Sequence, residues 1–143
     1  MQLRAIMTPE VEVVSPETTL QQAAIKMRRL NIGSLPVCEG DRLIGMLTDR
    51  DITVRAVAEG CDPTTTTIRE AMTPDIVYCF DDHEVQDAVH VMERYKIRRL
   101  PILRRDKRLV GMVSLGDLAV SSDTPTQVGE TLKQVAAPPE LRR

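Results

Sequence analysis

The 143-residue chain carries 21 acidic against 19 basic side chains, a net charge of −2, and has no Trp, one Phe and two Tyr. That balance gives no general pull toward nucleic acid or an anionic membrane, and the shortage of rings argues against stacking of single-stranded bases. No apolar run approaches the roughly 20 residues that span a bilayer. The start, Met1-Gln2-Leu3-Arg4-Ala5-Ile6, lacks the basic-then-apolar build of a signal peptide. Cys38, Cys61 and Cys79 are odd in number and widely spaced, with no CxxC pair. Neither a disulfide framework nor a zinc site is indicated, and a reducing, cytoplasmic setting fits.

The chain reads as two copies of one pattern. Residues 7–41 align with 72–106, and after a one-residue insertion 42–52 align with 108–118. Met7-Thr8-Pro9 matches Met72-Thr73-Pro74. Val11-Glu12-Val13-Val14 matches Ile76-Val77-Tyr78-Cys79, a short β-branched strand in each copy. A helix follows. Leu20, Ala23, Ala24, Met27 and Leu30 form one apolar stripe, and Val85, Ala88, Val89, Met92 and Tyr95 repeat it. Thr18 with Gln21 has the form of a capping box for the first helix. Asn31 and Gly33 supply its stop, and Asp81-Asp82 start the second helix.

Leu35-Pro36-Val37-Cys38 and Leu100-Pro101-Ile102-Leu103 then read as second strands, with Pro at the start or on an edge. Polar turns follow at 39–42 and 104–108, and third strands at Leu43–Leu47 and Leu109–Val113. The next helix runs from about Asp49 to Glu59 and stops at Gly60; its counterpart starts near Leu115 and is shorter. Thr67 with Glu70 forms another capping box leading into the second Met-Thr-Pro. A last helix, Thr126 to Ala136, packs on the body or on a second subunit, and the basic tip beyond it is expected to be disordered. The division is therefore 1–61 for the first repeat, 62–66 for a linker, 67–121 for the second repeat, and 122–143 for a C-terminal helix and tail. Each half, of about 60 residues, is marginal alone, so the halves are expected to share one aliphatic core.

This doubled β-α-β-β-α order, with Met-Thr-Pro at its start and a Gly-containing strand running into T/S-x-x-D at its end, resembles the tandem CBS-domain (cystathionine β-synthase domain) module over about residues 5–120. The resemblance implies an α+β fold, a Bateman module, in which two repeats related by approximate two-fold symmetry share a core and hold two clefts between them. With no further catalytic domain in the chain, it is similar to a standalone CBS-pair protein.

Thr48-x-x-Asp51 and Ser114-x-x-Asp117 read first as helix caps. The same geometry suits a ligand, because a strand end feeding a helix start presents N–H groups to a phosphate, and the Asp can accept from ribose hydroxyls. The resemblance assigns Asp51 and Asp117 to the ribose, and Thr48 and Ser114 to the phosphate path. In related modules a basic residue before the second strand reaches the phosphates, a task suited to the guanidinium fork; here that implies Arg99 and Arg98. The first repeat has Gly33-Ser34 instead, so the two clefts should differ in charge. Arg50 is also set for a phosphate, whereas its counterpart is Gly116. An adenine slot carried over from the family comprises Val11, Val13, Pro36, Ile76, Tyr78 and Pro101, for which ordinary core and edge packing is the competing reading.

Asp49 and Asp51 do not face each other on a helix, and His83 and His90, seven apart on one helix, cannot grip a metal within one turn. No catalytic set and no metal site emerge. The expectation is a regulatory protein, not an enzyme, that senses an adenosine ligand (AMP, ADP, ATP, NAD(H) or S-adenosylmethionine), forms a homodimer and acts on an unidentified protein target. The alternatives are an interaction module with empty clefts and, against the acidic balance, a nucleic-acid binder using Lys96 to Arg108.

Overall fold

A computed structural model describes residues 1–121 and 125–136. In chain order the elements are a 3₁₀ turn (Leu3–Ala5), β1 (Thr8–Pro9), α1 (Leu20–Leu30), β2 (Ser34–Glu39), β3 (Arg42–Thr48), α2 (Asp49–Asp51) continuing as a π-helix (Ile52–Val57), and α3 (Ile68–Ala71). There follow β4 (Cys79–Phe80), α4 (Val85–Tyr95), β5 (Arg99–Leu103), β6 (Leu109–Ser114), α5 (Leu115–Ser121) and α6 (Pro125–Ala136). They gather into two compact units. The central unit is Glu12–Ile76, and the split unit joins Met1–Val11 to the chain from Val77 onward.

The units do not follow the order of the repeats, and Met-Thr-Pro is the reason. Thr8 and Pro9 of the first repeat pair with Met112 and Gly111 of β6, within the split unit. Thr73 of the second repeat exchanges hydrogen bonds with Met46 of β3, at 2.8 and 2.9 Å, within the central unit. Each third strand carries a Gly opposite this crossing segment. A Cβ on Gly45 would lie 2.8 Å from Thr73 O, and one on Gly111 would lie 2.6 Å from Met7 Sδ and 2.9 Å from Thr8 O. Real Cβ atoms do not approach so closely, so the strand Gly and the Met-Thr-Pro motif form one lock.

The two hairpins are the same object built twice. Ser34, Leu35, Pro36 and Val37 pair with Thr48, Leu47, Met46 and Gly45. Arg99, Leu100, Pro101 and Ile102 pair with Ser114, Val113, Met112 and Gly111, and both ladders shift register at the next residue. The turns differ through the insertion: Gly40 takes the left-handed conformation in the first (φ 64°), and Lys107 takes it in the second (φ 69°). The expected first strands are reduced. In the central unit Val14 alone bridges to Val37, in parallel. In the split unit only Cys79 and Phe80 pair, parallel to Ile102 and Leu103. Val11 and Ile76 fall at the ends of their units, so neither shares a strand with its neighbours Val13 and Tyr78.

Helix ends differ from the sequence reading by small steps with local causes. The first capping box is Thr19 with Gln22, not Thr18 with Gln21. The Thr18 hydroxyl donates to Ser15 O at 2.7 Å and its N–H to the same carbonyl at 3.3 Å, which keeps Thr18 in the preceding turn. Asn31, left-handed, ends α1 as expected, while Gly33 has no positive φ. Glu84 with Asp87, not Asp81-Asp82, caps α4; the two Asp lie in the turn before it, and so does His83. The run from Asp49 to Val57 leaves the α-helix after one turn for i→i−5 bonding, with Ala58 N–H donating to Thr53 O at 2.9 Å. The segment 62–66 is part of the central unit, because Leu20 and Gln21 N–H at the start of α1 donate to Thr66 O and Pro63 O.

Buried side chains gather in two clusters, one in each unit. Leu20, Ala23, Met27, Leu35, Val37 and Leu47 dominate the central unit's cluster. Ala88, Val89, Met92, Leu100, Ile102 and Val113 dominate that of the split unit. Ala24 and Tyr95 of the expected stripes are exposed. In α6, Val135 is buried in the split unit's cluster, and Lys96 Nζ donates to Gln134 O at 2.8 Å. This helix therefore packs on the body of the chain. The expected disorder of the tip past Ala136 falls outside the described residues.

Candidate functional site

Both T/S-x-x-D motifs are reciprocal boxes at the end of a third strand. Thr48 N–H donates to Asp51 Oδ2 at 2.9 Å, and Asp51 N–H to Thr48 Oγ1 at 3.0 Å. Ser114 N–H donates to Asp117 Oδ2 at 2.8 Å, and Asp117 N–H to Ser114 Oγ at 3.0 Å. The capping role is thus realised in both copies, and it spends one carboxylate oxygen of each Asp. The other, Oδ1, takes no part in the box and can accept a further hydrogen bond, such as one from a ribose hydroxyl.

The hairpin register decides which other candidates stand near each box. Directly paired residues in an antiparallel ladder project to the same face, as do residues two apart along a strand. Ser34 and Pro36 therefore share the face of Thr48, and Arg99 and Pro101 that of Ser114. Both Pro are buried, Arg99 is exposed, and exposed Arg98 accepts the Leu115 N–H on its carbonyl at 2.8 Å. Val13 lies beside β2, where its neighbour Val14 bonds to Pro36 O and Cys38 N–H. Tyr78 enters β4 and meets Phe80 edge-on at 5.5 Å between centroids. The structure brings Val13, Pro36 and Thr48 with Asp51 into one unit, and Tyr78, Pro101, Arg99 and Ser114 with Asp117 into the other. It does not join Val11 to Val13 or Ile76 to Tyr78 within a unit.

Arg50 is exposed beside the first box. Two further residues stand at the first box that the sequence reading did not place in the site. Asp49 carries its carboxylate against Gly33, with Oδ2 3.0 Å from where a Gly33 Cβ would stand, and Oδ1 accepts the Arg50 N–H at 2.8 Å. Arg55 on the π-helix stands with Nε 4.0 Å from Asp51 Oδ1, while Nη1 donates to Ala71 O and Met72 O at 3.2 and 3.0 Å. It ties the box to the Met-Thr-Pro crossing. Its i,i+4 spacing from Asp51 was the available signal. The counterpart, Ser121, is not a cation and donates to Leu118 O.

Much of the basic stretch from Lys96 is engaged locally. Arg104 and Arg108 both pair with Asp106. Arg105 grips Asp82 with two nitrogens and lies 4.2 Å over the Phe80 ring. That guanidinium holds the Asp82 carboxyl below its ordinary range. Among the described residues no group of three or more His, Cys, Asp and Glu is placed to hold a metal ion, and no helix is long and apolar enough to cross a membrane.

Comparison with known proteins finds the same duplicated fold. The chain is 42% identical over 130 residues to the CBS domain-containing protein YhcV of Bacillus subtilis, covering 91% of each chain. The crystal structure of Hypoxic Response Protein I with two coordinated zinc ions has the same fold at a TM-score of 0.78 and 41% identity, covering 85% of this chain and 99% of that one. So does CBSX2 in complex with AMP, at a TM-score of 0.74 and 23% identity, covering 84% and 94%. Sequence matches to the CBS domain occupy residues 3–57 and 68–122. With two such domains filling most of its length, the chain belongs to the CBS-domain proteins.

Proposed function

We propose that this CBS pair is a regulatory protein that binds an adenosine-containing ligand (AMP, ADP, ATP, NAD(H) or S-adenosylmethionine), works as a cytoplasmic homodimer and passes a conformational change to a protein target. The observation that carries the reading is the pair of Thr48–Asp51 and Ser114–Asp117 boxes, which share one bonding pattern and each leave one carboxylate oxygen outside it. Arg99 opposite Ser114 supplies a cation for phosphate, and buried Pro101 an apolar surface on the same face. The fold itself accommodates AMP in CBSX2. The local pairing of Arg104, Arg105 and Arg108 with Asp side chains speaks against a nucleic-acid surface there.

Calorimetric titration with AMP, ADP, ATP, NAD(H) and S-adenosylmethionine on the wild type, Asp51→Asn and Asp117→Asn tests the reading. The amide oxygen of Asn preserves the box but removes the charge that accepts the ribose hydroxyls. A charged hydrogen bond is worth about 1.5–3 kcal/mol, so the variant of an occupied site should bind at least about tenfold more weakly. If none of the five ligands binds at millimolar concentration, the nucleotide reading is wrong and an interaction module takes its place.

A further inference from the structure

The two boxes match in bonding but not in surroundings, and the difference bears on which ligand each takes; the inference rests on the adenosine-binding reading above. Gly33, Ser34, Thr48, Asp49, Arg50, Asp51 and Arg55 carry no net formal charge, whereas the aligned Arg98, Arg99, Ser114, Leu115, Gly116, Asp117 and Ser121 carry +1. In the central unit Asp49 is fixed from both ends. Its N–H donates to Gly33 O at 2.9 Å, its Oδ1 accepts from Arg50 N–H, and its Oδ2 fills the space left by the missing side chain of Gly33. A negative charge is thereby held beside the box, and it occupies the N–H that an incoming phosphate would use. Arg50, in the same turn, at most neutralises it.

In the split unit Leu115 has no carboxylate to offer, so the Gly116 N–H lacks that acceptor. Arg98 stands where Gly33 stands in the other copy, and Arg99 lies directly across from Ser114. Neither guanidinium has a hydrogen-bond or ion-pair partner among the described residues. Among the described residues two cations stand unpartnered on one side; on the other an anion is locked in place, with Arg50 exposed beside it and Arg55 drawn to Asp51 and to the Ala71 and Met72 carbonyls.

We propose that the two sites divide adenosine ligands by charge. The split-unit site takes adenosine phosphates. The central-unit site takes an adenosyl group without a 5′-phosphate, neutral or cationic, and Asp49 is the residue that sets this preference.

The test is calorimetric titration of AMP, adenosine and S-adenosylmethionine into the wild type, Asp49→Asn and Leu115→Asp, with Asp51→Asn and Asp117→Asn to assign each site. Asp49→Asn keeps the acceptor for the Arg50 N–H and removes only the charge. A unit charge about 6 Å from a phosphate, at an effective dielectric near about 40, changes binding about tenfold. The wild type should bind one tight AMP that is lost in Asp117→Asn and kept in Asp51→Asn. Adenosine or S-adenosylmethionine should occupy the site lost in Asp51→Asn. Asp49→Asn should raise AMP affinity at the central-unit site about tenfold, and Leu115→Asp should lower it about tenfold at the other. Two AMP sites of equal affinity, each lost with its own Asp variant, would overturn the division while leaving adenosine binding intact. An unchanged AMP affinity in Asp49→Asn would overturn it as well. Failure of all three ligands to bind the wild type would overturn the division, and failure of ADP, ATP and NAD(H) as well would remove the underlying reading.

Discussion

Replacing Gly111 by Ala tests the lock between the third strand and Met-Thr-Pro. The added methyl would stand 2.6 Å from Met7 Sδ, 2.9 Å from Met7 Cγ and 2.9 Å from Thr8 O. Met7 Sδ can swing aside, but the Thr8 carbonyl belongs to β1, which is paired with β6 at that point. Overpacking of this kind costs about 1–3 kcal/mol. Loss of Gly freedom in the unfolded chain returns about 0.4–1 kcal/mol. The net loss should therefore be roughly 1–2 kcal/mol, or about 3–8 °C in Tm for a chain of this size. Urea unfolding should show a lower midpoint at unchanged slope. Repeating the change in a Met7→Ala background removes two of the three close atoms, so the penalty should shrink without vanishing, a coupling that a double-mutant cycle reads directly. Gly45→Ala should be relieved less by Met72→Ala, because its nearest neighbour is the Thr73 carbonyl at 2.8 Å. A Gly111→Ala protein as stable as the wild type would refute the lock, as would a penalty unaffected by removing the Met7 side chain.

Two further outcomes follow from burial and charge. Desolvation pushes the Cys38 and Cys79 thiols up to about 11, while Cys61 is exposed; iodoacetamide at about pH 8 should modify Cys61 alone in the folded protein and the other two only in denaturant. Equal labelling of all three cysteines in native buffer would contradict that burial. Arg105 lowers the Asp82 carboxyl below its ordinary value of 3.8, chiefly through their hydrogen bond. A depressed carboxylate stabilises the fold above its unfolded pKa and loses that contribution as pH falls through the folded value. Arg105→Gln should therefore lower the Tm above about pH 4, and the gap to the wild type should close in stronger acid. A gap that persists there would mean that Arg105 acts through its contact with Phe80, 4.2 Å away, and not through Asp82.

The features legible in the chain are those whose chemistry closes within a few residues. Thr48 with Asp51, Ser114 with Asp117, and Thr67 with Glu70 bond across three positions, so their spacing alone announced them. The hairpins share one pattern because both pair the same types of residue around a short turn. Even locally the pattern could be ambiguous: Thr18 and Thr19 each have a Gln three residues on, and only the bond from Thr18 to Ser15 O selects Thr19 as the cap.

By itself the sequence determined the repeat, the hairpins, the boxes and the charge difference between the two copies, since each is written in residue types at short range. Only the tertiary structure decided that each Met-Thr-Pro pairs with the third strand of the other repeat, that Gly45 and Gly111 exist to admit it, and that Val11 and Val13 part company. The same holds for the π-helix that carries Arg55 to Ala71 O and Met72 O, and for Asp49 filling the space at Gly33. These depend on segments far apart in the chain competing for one strand edge or one small volume. Hydrophobic periodicity records which face is buried, but not which distant backbone will cover it.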